Sequence, residues 1–113
     1  MQNQPIPQVT AADVERIVAR DYPPDQRDEV RRLLATLGAN AKPRLQLAVL
    51  KLARGEFARI QPHLDMANRD WRDVLMRAEY PADAKISWSV PGEAHHDAYR
   101  SDWEQYQVWL TRP

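Results

Sequence analysis

The side chains best suited to metal chemistry lie near residue 95, where His95, His96 and Asp97 follow one another and Asp102 comes soon after. Imidazole and carboxylate groups are common ligands of transition metals. Neighbouring residues on a helix point about 100° apart, so the two imidazoles do not converge, and a site would need His63 from another segment. We therefore predict no bound metal and no cofactor. Asp97 is interpreted as an acidic residue that favours the first turn of a helix.

Catalytic groups of other kinds are scarce. The chain has no cysteine, and none of its few serines lies in a G-x-S-x-G turn, so no activated nucleophile is indicated. Glu79 and Asp83 could form a carboxylate pair near Tyr80, but carboxylates at the end of a helix are common on protein surfaces. Three glycines, far apart, cannot build a phosphate-binding loop. The prediction is a protein without catalytic activity.

The charges balance at 16 basic and 16 acidic residues, so no net field attracts nucleic acid or an anionic membrane. Four arginines nevertheless lie close together in the chain: Arg20, Arg27, Arg31 and Arg32. Aspartates and glutamates interleave with them and would repel phosphates. Nucleic-acid binding through residues 20–32 is therefore kept as the weakest alternative. The absence of cysteine, of a signal-peptide pattern and of a long apolar run leads us to expect a cytoplasmic protein.

Prolines and glycines divide the chain into helices, which predicts an all-α, single-domain bundle of about five helices. A first helix begins at Thr10, which can cap it, and ends at Tyr22-Pro23-Pro24. The later helices are predicted over residues 25–37, 42–54, 62–79 and 94–111. Residues 1–9 are expected to form a flexible arm outside the helical domain of residues 10–113. Residues 82–93 alternate apolar and polar side chains without any strand to pair with, which favours an extended loop.

The third helix is apolar over most of its circumference, apart from a polar strip of Arg44, Lys51 and Arg54. A helix that is apolar nearly all round is one surrounded by other helices. We therefore place this helix at the centre of the bundle. Truncation to alanine is expected to cost about 2 to 5 kcal/mol at each buried leucine. The leucines expected to matter most are Leu45, Leu50 and Leu52.

The fourth helix shows the clearest amphipathic pattern. Its apolar stripe, preceded by Ile60, consists of Leu64, Ala67, Trp71, Val74, Leu75 and Ala78. On the opposite side, charges of alternating sign follow each other at i+4: Asp65, Arg69, Asp73 and Arg77. Each pair of this ladder should contribute about 0.2 to 0.5 kcal/mol.

Aromatic residues are concentrated in the second half of the chain, which holds all four tryptophans. We favour core packing for most of them, because large aromatics at helical spacing usually pack. Tryptophan and tyrosine are also enriched at the energetic centres of interfaces, which indicates a partner-binding surface. The residues predicted to form it are the aromatics expected nearest the surface, an apolar residue on the charged side of the fourth helix, and two ladder charges: Trp88, Trp109, Tyr106, Met76, Arg69 and Asp73.

The block RLQLAVLKLARGEFARIQPHLDMANRDWRDVLMRAEYP, from Arg44 to Pro81, resembles a block found in small helical bacterial proteins of no assigned activity. It covers about a third of the chain. The resemblance implies a small helical bacterial protein and brings no catalytic motif.

These observations together predict a small cytoplasmic module that binds another protein without catalysis, in an immunity, adaptor or regulatory role. Arginine and carboxylate side chains would fix the orientation of the partner, and aromatic side chains would supply affinity. The same surface could form a homodimer. The main alternative is a ligand-binding or metal-binding domain, or an enzyme, with a pocket between residues 62–79 and 94–111 that uses His63, His95 or His96.

Overall fold

Six α-helices account for most of the computed structural model, which describes residues 6–82 and 92–113. Within these residues there is no strand, and the chain is an all-α single domain, as predicted. The helices are α1 (Ala11–Asp21), α2 (Pro24–Ala35), α3 (Pro43–Ala53), α4 (Ile60–Arg69), α5 (Trp71–Glu79) and α6 (Gly92–Thr111). Two single 3-10 turns, Gly38–Asn40 and Phe57–Arg59, precede α3 and α4.

The first helix begins where the capping residues predicted. The backbone N–H of Thr10 donates to the Asp13 carboxylate at 2.9 Å, and this hydrogen bond is the main reason that the pKa of Asp13 is lowered. The helix ends at Tyr22, which is extended, and Pro24 then occupies the first turn of α2. Proline is tolerated there because the first amides of a helix have no partner within it. The prolines therefore end one helix and begin the next.

The third helix lies at the centre of the bundle and packs against α1, α4 and α5. This placement was predicted from its apolar circumference. Six of its residues are buried: Leu45, Leu47, Ala48, Val49, Leu50 and Ala53. Leu52 was expected to be among them, but it is only partly buried at the margin of the core.

The predicted helix over residues 62–79 is two helices. The described residues therefore form six α-helices instead of the predicted five. The break lies at Asp70, whose φ of −155° and ψ of 89° are not helical. Its side chain accepts hydrogen bonds from the backbone N–H groups of Arg72 at 3.2 Å and Asp73 at 3.4 Å. Aspartate competes in this way with the helical hydrogen-bond pattern and favours N-cap positions. A new helix therefore starts at Trp71.

This break also changes which side chains are buried. Trp71 was predicted to lie in the apolar stripe, but it is 42% exposed. Of the predicted charge ladder, Asp73 and Arg77 form an ion pair at 3.0 Å, while Asp65 accepts a hydrogen bond from Gln61. Within the described residues, Arg69 forms no ion pair. The ladder is interrupted because Arg69 and Asp73 lie on different helices.

The last helix is not buried along its aromatic face. The spacing i, i+4, i+7, i+11 predicts one face of Tyr99, Trp103, Tyr106 and Leu110, whereas the buried side chains in its described part are Ala98, Asp102, Tyr106 and Leu110. Asp102 is buried because its carboxylate accepts a hydrogen bond from the backbone N–H of Ala82 at 3.0 Å. It thereby fastens the end of the α5 region to α6. Of the predicted loop over residues 82–93, residues 83–91 lie outside the described part, and residues 92 and 93 belong to α6.

The N-terminal arm predicted over residues 1–9 is described from residue 6 onward. Pro7 is buried, and Val9 packs against the core. The end of this segment therefore contacts the helical domain. In the part of the chain that the structure describes, no helix has the length and apolar character needed to cross a membrane.

Candidate interaction surface

A buried ion pair joins α3 to α5 and forms the floor of the candidate surface. Arg44 donates from Nε to Glu79 at 2.8 Å and from its terminal nitrogen at 2.6 Å, a bidentate contact across 35 positions of sequence. The Glu79 side chain is 1% exposed and that of Arg44 is 33% exposed. The hydrogen bond to Glu79 is the largest cause of the raised pKa of Arg44. The interpretation of Glu79 as a surface carboxylate is therefore wrong, and Asp83 lies outside the described residues.

Beside this ion pair, the indole of Trp71 is exposed at the start of α5. The guanidinium carbon of Arg72 lies 5.2 Å from the centre of the indole ring, a cation–π contact. Large aromatic side chains are the most favourable anchors of protein interfaces when they are available to a partner. Helical periodicity predicted that Trp71 is buried, because it assigned this residue to the apolar stripe of a continuous helix. The only signal for the break was Asp70, an N-cap residue type inside an otherwise continuous helical pattern.

Two adjoining depressions flank Trp71, and we call them together the Trp71 groove. They share Arg44, Trp71 and Leu75. The first has a volume of about 270 Å³ and is lined by Ala39, Asn40, Lys42, Arg44, Leu45, Trp71 and Leu75. The second has a volume of about 240 Å³ and is lined by Arg44, Trp71, Arg72, Leu75, Met76 and Tyr80. Side chains of the 3-10 turn, α3 and α5 are therefore brought to one surface.

The charges of the groove are mainly positive. Lys42 and Arg72 are exposed at its rim, and within the described residues neither has a carboxylate in ion-pair distance. Glu79 is neutralised by Arg44, so the floor carries no uncompensated charge. The groove therefore combines an apolar centre with two cations that no carboxylate among the described residues neutralises.

The residues predicted to bind a partner are not brought together as one patch. Met76 is half-buried and lines the Trp71 groove, but Tyr106 is 1% exposed, so the expectation that it lies near the surface is wrong. Trp109 is half-buried and contacts Tyr106 and Arg20 at the far end of α6. Arg69 is exposed at the end of α4, and Asp73 is held by Arg77. Trp88 lies outside the described residues.

The described residues do not place His63 in a metal-binding or catalytic cluster. His63 is half-buried in α4, and its Nδ1 lies 2.8 Å from the backbone oxygen of Arg59. The carboxylate of Asp102 accepts a hydrogen bond from the backbone N–H of Ala82. No group of three or more histidine, aspartate or glutamate residues is placed to hold a metal ion within the residues described. The side chains of His95 and His96 lie outside that set.

The arginines between residues 20 and 32 are all engaged within the chain. Arg20 and Arg27 donate to backbone oxygens, whereas Arg31 and Arg32 pair with carboxylates on α1 and α2. Their partners are Trp109 and Arg112 for Arg20, Tyr22 and Ala19 for Arg27, Glu15 and Asp28 for Arg31, and Glu29 for Arg32. These contacts neutralise or occupy the cations that nucleic-acid binding would need.

The depressions described in this structure do not coincide with the predicted pocket between residues 62–79 and 94–111. Two of them form the Trp71 groove, and a third lies between the ends of α1, α3 and α6. Comparison with protein families, with characterised proteins and with solved structures found no match to this chain.

Proposed function

We propose that this protein is a non-catalytic module of the cytoplasm that binds another protein through the Trp71 groove. The observation that carries the proposal is the exposed indole of Trp71, which lies between two depressions lined by the cations Lys42 and Arg72. An immunity, adaptor or regulatory role is part of the proposal. Among the described residues, the groove shares only Met76 with the aromatic surface expected from the sequence.

The shape of the groove favours a partner's side chain over a small molecule. Pockets for small molecules bury most of the ligand. The two halves of the groove, of about 270 and 240 Å³, lie side by side and are both open to solvent. Protein interfaces in contrast use a few side chains that fill shallow depressions around an aromatic anchor.

The charges of the groove indicate which kind of partner it would take. Lys42 lines one half of the groove and Arg72 the other, and neither forms an ion pair with a carboxylate of the described residues. Complementary charge raises the association rate and selects the orientation of a partner. We therefore propose an acidic protein segment with an apolar side chain that packs beside Trp71.

A differential pull-down tests this proposal. The wild type is compared with Trp71→Ala and with Val108→Ala, which also removes an exposed apolar side chain, 67% exposed and outside the groove. The expected result is a set of proteins retained by the wild type and Val108→Ala and lost with Trp71→Ala. Their binding to purified protein should weaken with Lys42→Met and with added salt. Equal recovery by folded Trp71→Ala would contradict the proposal.

A second copy of the chain is the other occupant to be tested. If the groove forms a homodimer, sedimentation equilibrium should show a dimer for the wild type and a monomer for Trp71→Ala. If the wild type is a monomer even at high concentration, the groove does not form a homodimer, and the proposed partner is a different protein.

A further inference from the structure

A separate cavity lies where three helices end, on the side of α3 remote from the Trp71 groove. The last residues of α1, α3 and α6 converge there, and the cavity has a volume of about 650 Å³. We call it the basic pocket because four cationic side chains and one carboxylate line it. They are Arg20, Lys51, Arg54, Arg112 and Asp21.

One cation and the carboxylate neutralise each other and support the fold. Arg20 donates to the two carboxylate oxygens of Asp21 at 2.8 and 3.2 Å. It also donates to the backbone oxygens of Trp109 at 2.6 Å and Arg112 at 2.9 Å. Arg20 therefore satisfies carbonyl groups at the end of α6 and has little capacity left for a ligand.

Among the described residues, the other three cations form no ion pair with a carboxylate. In the two described segments, residues 6–82 and 92–113, no carboxylate lies within ion-pair distance of Lys51, Arg54 or Arg112. The carboxylate of Asp102 acts on Lys51 only through space, since its hydrogen bond goes to Ala82. Burial lowers the pKa of Lys51, and the neighbouring charge of Arg54 acts in the same direction. The negative charge of a bound anion would raise the pKa of Lys51 again.

The partial negative charges at the three helix ends balance only part of the positive charge of the basic pocket. The end of a helix carries about −0.5 of a charge, so three ends supply about −1.5. The four cations and one carboxylate leave a formal surplus of three positive charges. About half of that surplus is therefore uncompensated by the helices. A surplus of positive charge around a cavity favours an anionic ligand.

We propose that the basic pocket binds a small multivalent oxyanion, a compound bearing phosphate or several carboxylates, between Lys51 on α3 and Arg112 at the end of α6. Its volume falls within the range of about 300 to 1,000 Å³ of small-molecule sites. Guanidinium groups bind two oxygens of a phosphate or carboxylate in parallel, and the lysine contributes a point charge. This activity is independent of protein binding at the Trp71 groove.

Isothermal titration calorimetry with pyrophosphate and with citrate tests this inference. The wild type should bind at least one probe saturably at one site, both at low salt and at about 0.15 M salt, where exposed charges are screened within about 8 Å. Binding of pyrophosphate alone indicates a phosphate ligand, and binding of citrate alone indicates a polycarboxylate. Absence of saturable binding of either probe would overturn the proposal.

Two variants and a matched control locate the site. Lys51→Met keeps the aliphatic stem and removes the charge, and it should weaken binding about tenfold or more. Lys42→Met makes the same change at the other end of α3 and should bind the probe like the wild type. Arg112→Gln, at an exposed position, should also weaken binding and serves if Lys51→Met does not fold. Wild-type affinity in folded Arg112→Gln and Lys51→Met would overturn the proposal, whereas loss of protein binding in Trp71→Ala would leave it intact.

Discussion

At the scale of single residues, the two partners of the Arg44–Glu79 ion pair differ in burial, and so in the cost of removing each one. Glu79 is almost fully enclosed, while a third of the Arg44 side chain reaches solvent. A charge left alone in the interior is costly, but a charge that can turn toward water is less so. The energetic importance of the pair therefore depends on which partner is removed.

Replacement of Arg44 by methionine should destabilise the fold by about 3 to 5 kcal/mol, because it leaves the Glu79 carboxylate buried without its cation. Glu79→Gln should cost less, about 1 to 3 kcal/mol, since Arg44 remains partly solvated. Urea denaturation of both variants measures this difference. The double variant should lose less than the sum of the two single changes, because the pair is coupled. Equal costs and strict additivity would contradict this account.

Two tyrosine hydroxyls are also informative at this scale. Those of Tyr22 and Tyr106 are buried, and neither has a hydrogen-bond partner among the described residues. A buried hydroxyl without a partner loses its hydration and gains nothing in exchange. The aromatic rings, not the hydroxyls, therefore account for the contribution of these side chains to the core.

Tyr106→Phe should accordingly keep the fold and raise the free energy of unfolding by about 1 kcal/mol. Removal of the ring, in Tyr106→Ala, should instead cost about 3 to 5 kcal/mol, by analogy with other large aromatic truncations. Thermal or urea unfolding distinguishes the two effects. A marked loss of stability in Tyr106→Phe would mean that the hydroxyl has a partner.

At the scale of secondary-structure elements, the break between α4 and α5 controls the candidate surface. Asp70 satisfies two backbone N–H groups at the start of α5 and so fixes the helix that carries Trp71 and Met76. If residues 62–79 were one continuous helix, Trp71 would lie on the buried stripe. The cap therefore links local hydrogen bonding to the exposure of the indole.

Asp70→Ala should lower the free energy of unfolding by about 1 kcal/mol, the usual cost of a lost N-cap. Asp65→Ala, another exposed aspartate on the preceding helix, should cost only about 0.2 to 0.5 kcal/mol, because it loses a single side-chain contact with Gln61. The two changes remove the same charge. Equal effects on the urea midpoint would show that Asp70 does not act as a cap.

Helix α3 offers a comparison of buried and marginal positions within one element. Leu50→Ala should cost about 2 to 5 kcal/mol, because the side chain is fully enclosed and the cavity cannot collapse completely. Leu52→Ala should cost clearly less, because Leu52 is only partly buried. Chemical denaturation with an unchanged m-value would measure the difference. A larger loss for Leu52 would contradict the placement of α3.

At the scale of the whole molecule, the polar strip of α3 connects the two proposed sites. Arg44, near the start of the helix, lies under the Trp71 groove, and Lys51 and Arg54, near its end, line the basic pocket. The buried residues of the helix belong to the core. One central helix therefore supports a protein-binding surface and an anion-binding cavity at opposite ends, which separates the effects of variants at the two sites.

The buried tyrosines should make the global stability depend on pH in alkaline solution. Burial raises the pKa of Tyr22 to about 12, and it also raises the pKa of Tyr106. Below about pH 10 both the folded and unfolded states hold these protons, so the contribution to stability is complete. Between about pH 10 and 12 the unfolded chain releases protons that the folded state keeps, and the free energy of unfolding falls.

This decrease is measured by urea denaturation between pH 8 and 12. The variant Tyr22→Phe should show a shallower decrease than the wild type, since it removes one of the tyrosines whose pKa burial raises. An exposed tyrosine would give no such difference. Identical curves for the wild type and Tyr22→Phe would contradict the inferred pKa.

The sequence by itself determined the all-α class, the start of α1, the proline boundary between α1 and α2 and the central position of α3. These features depend on local rules: capping, the conformation of proline, and helical periodicity. The break at Asp70 is also local, but periodicity alone does not distinguish a capped break from a continuous helix. Only the tertiary structure decided that Trp71 is exposed and Tyr106 buried, and that Arg44 meets Glu79. These outcomes depend on competition between distant segments for the same interior space, which no local pattern contains. The basic pocket likewise exists only because three helix ends, far apart in the chain, meet in the fold.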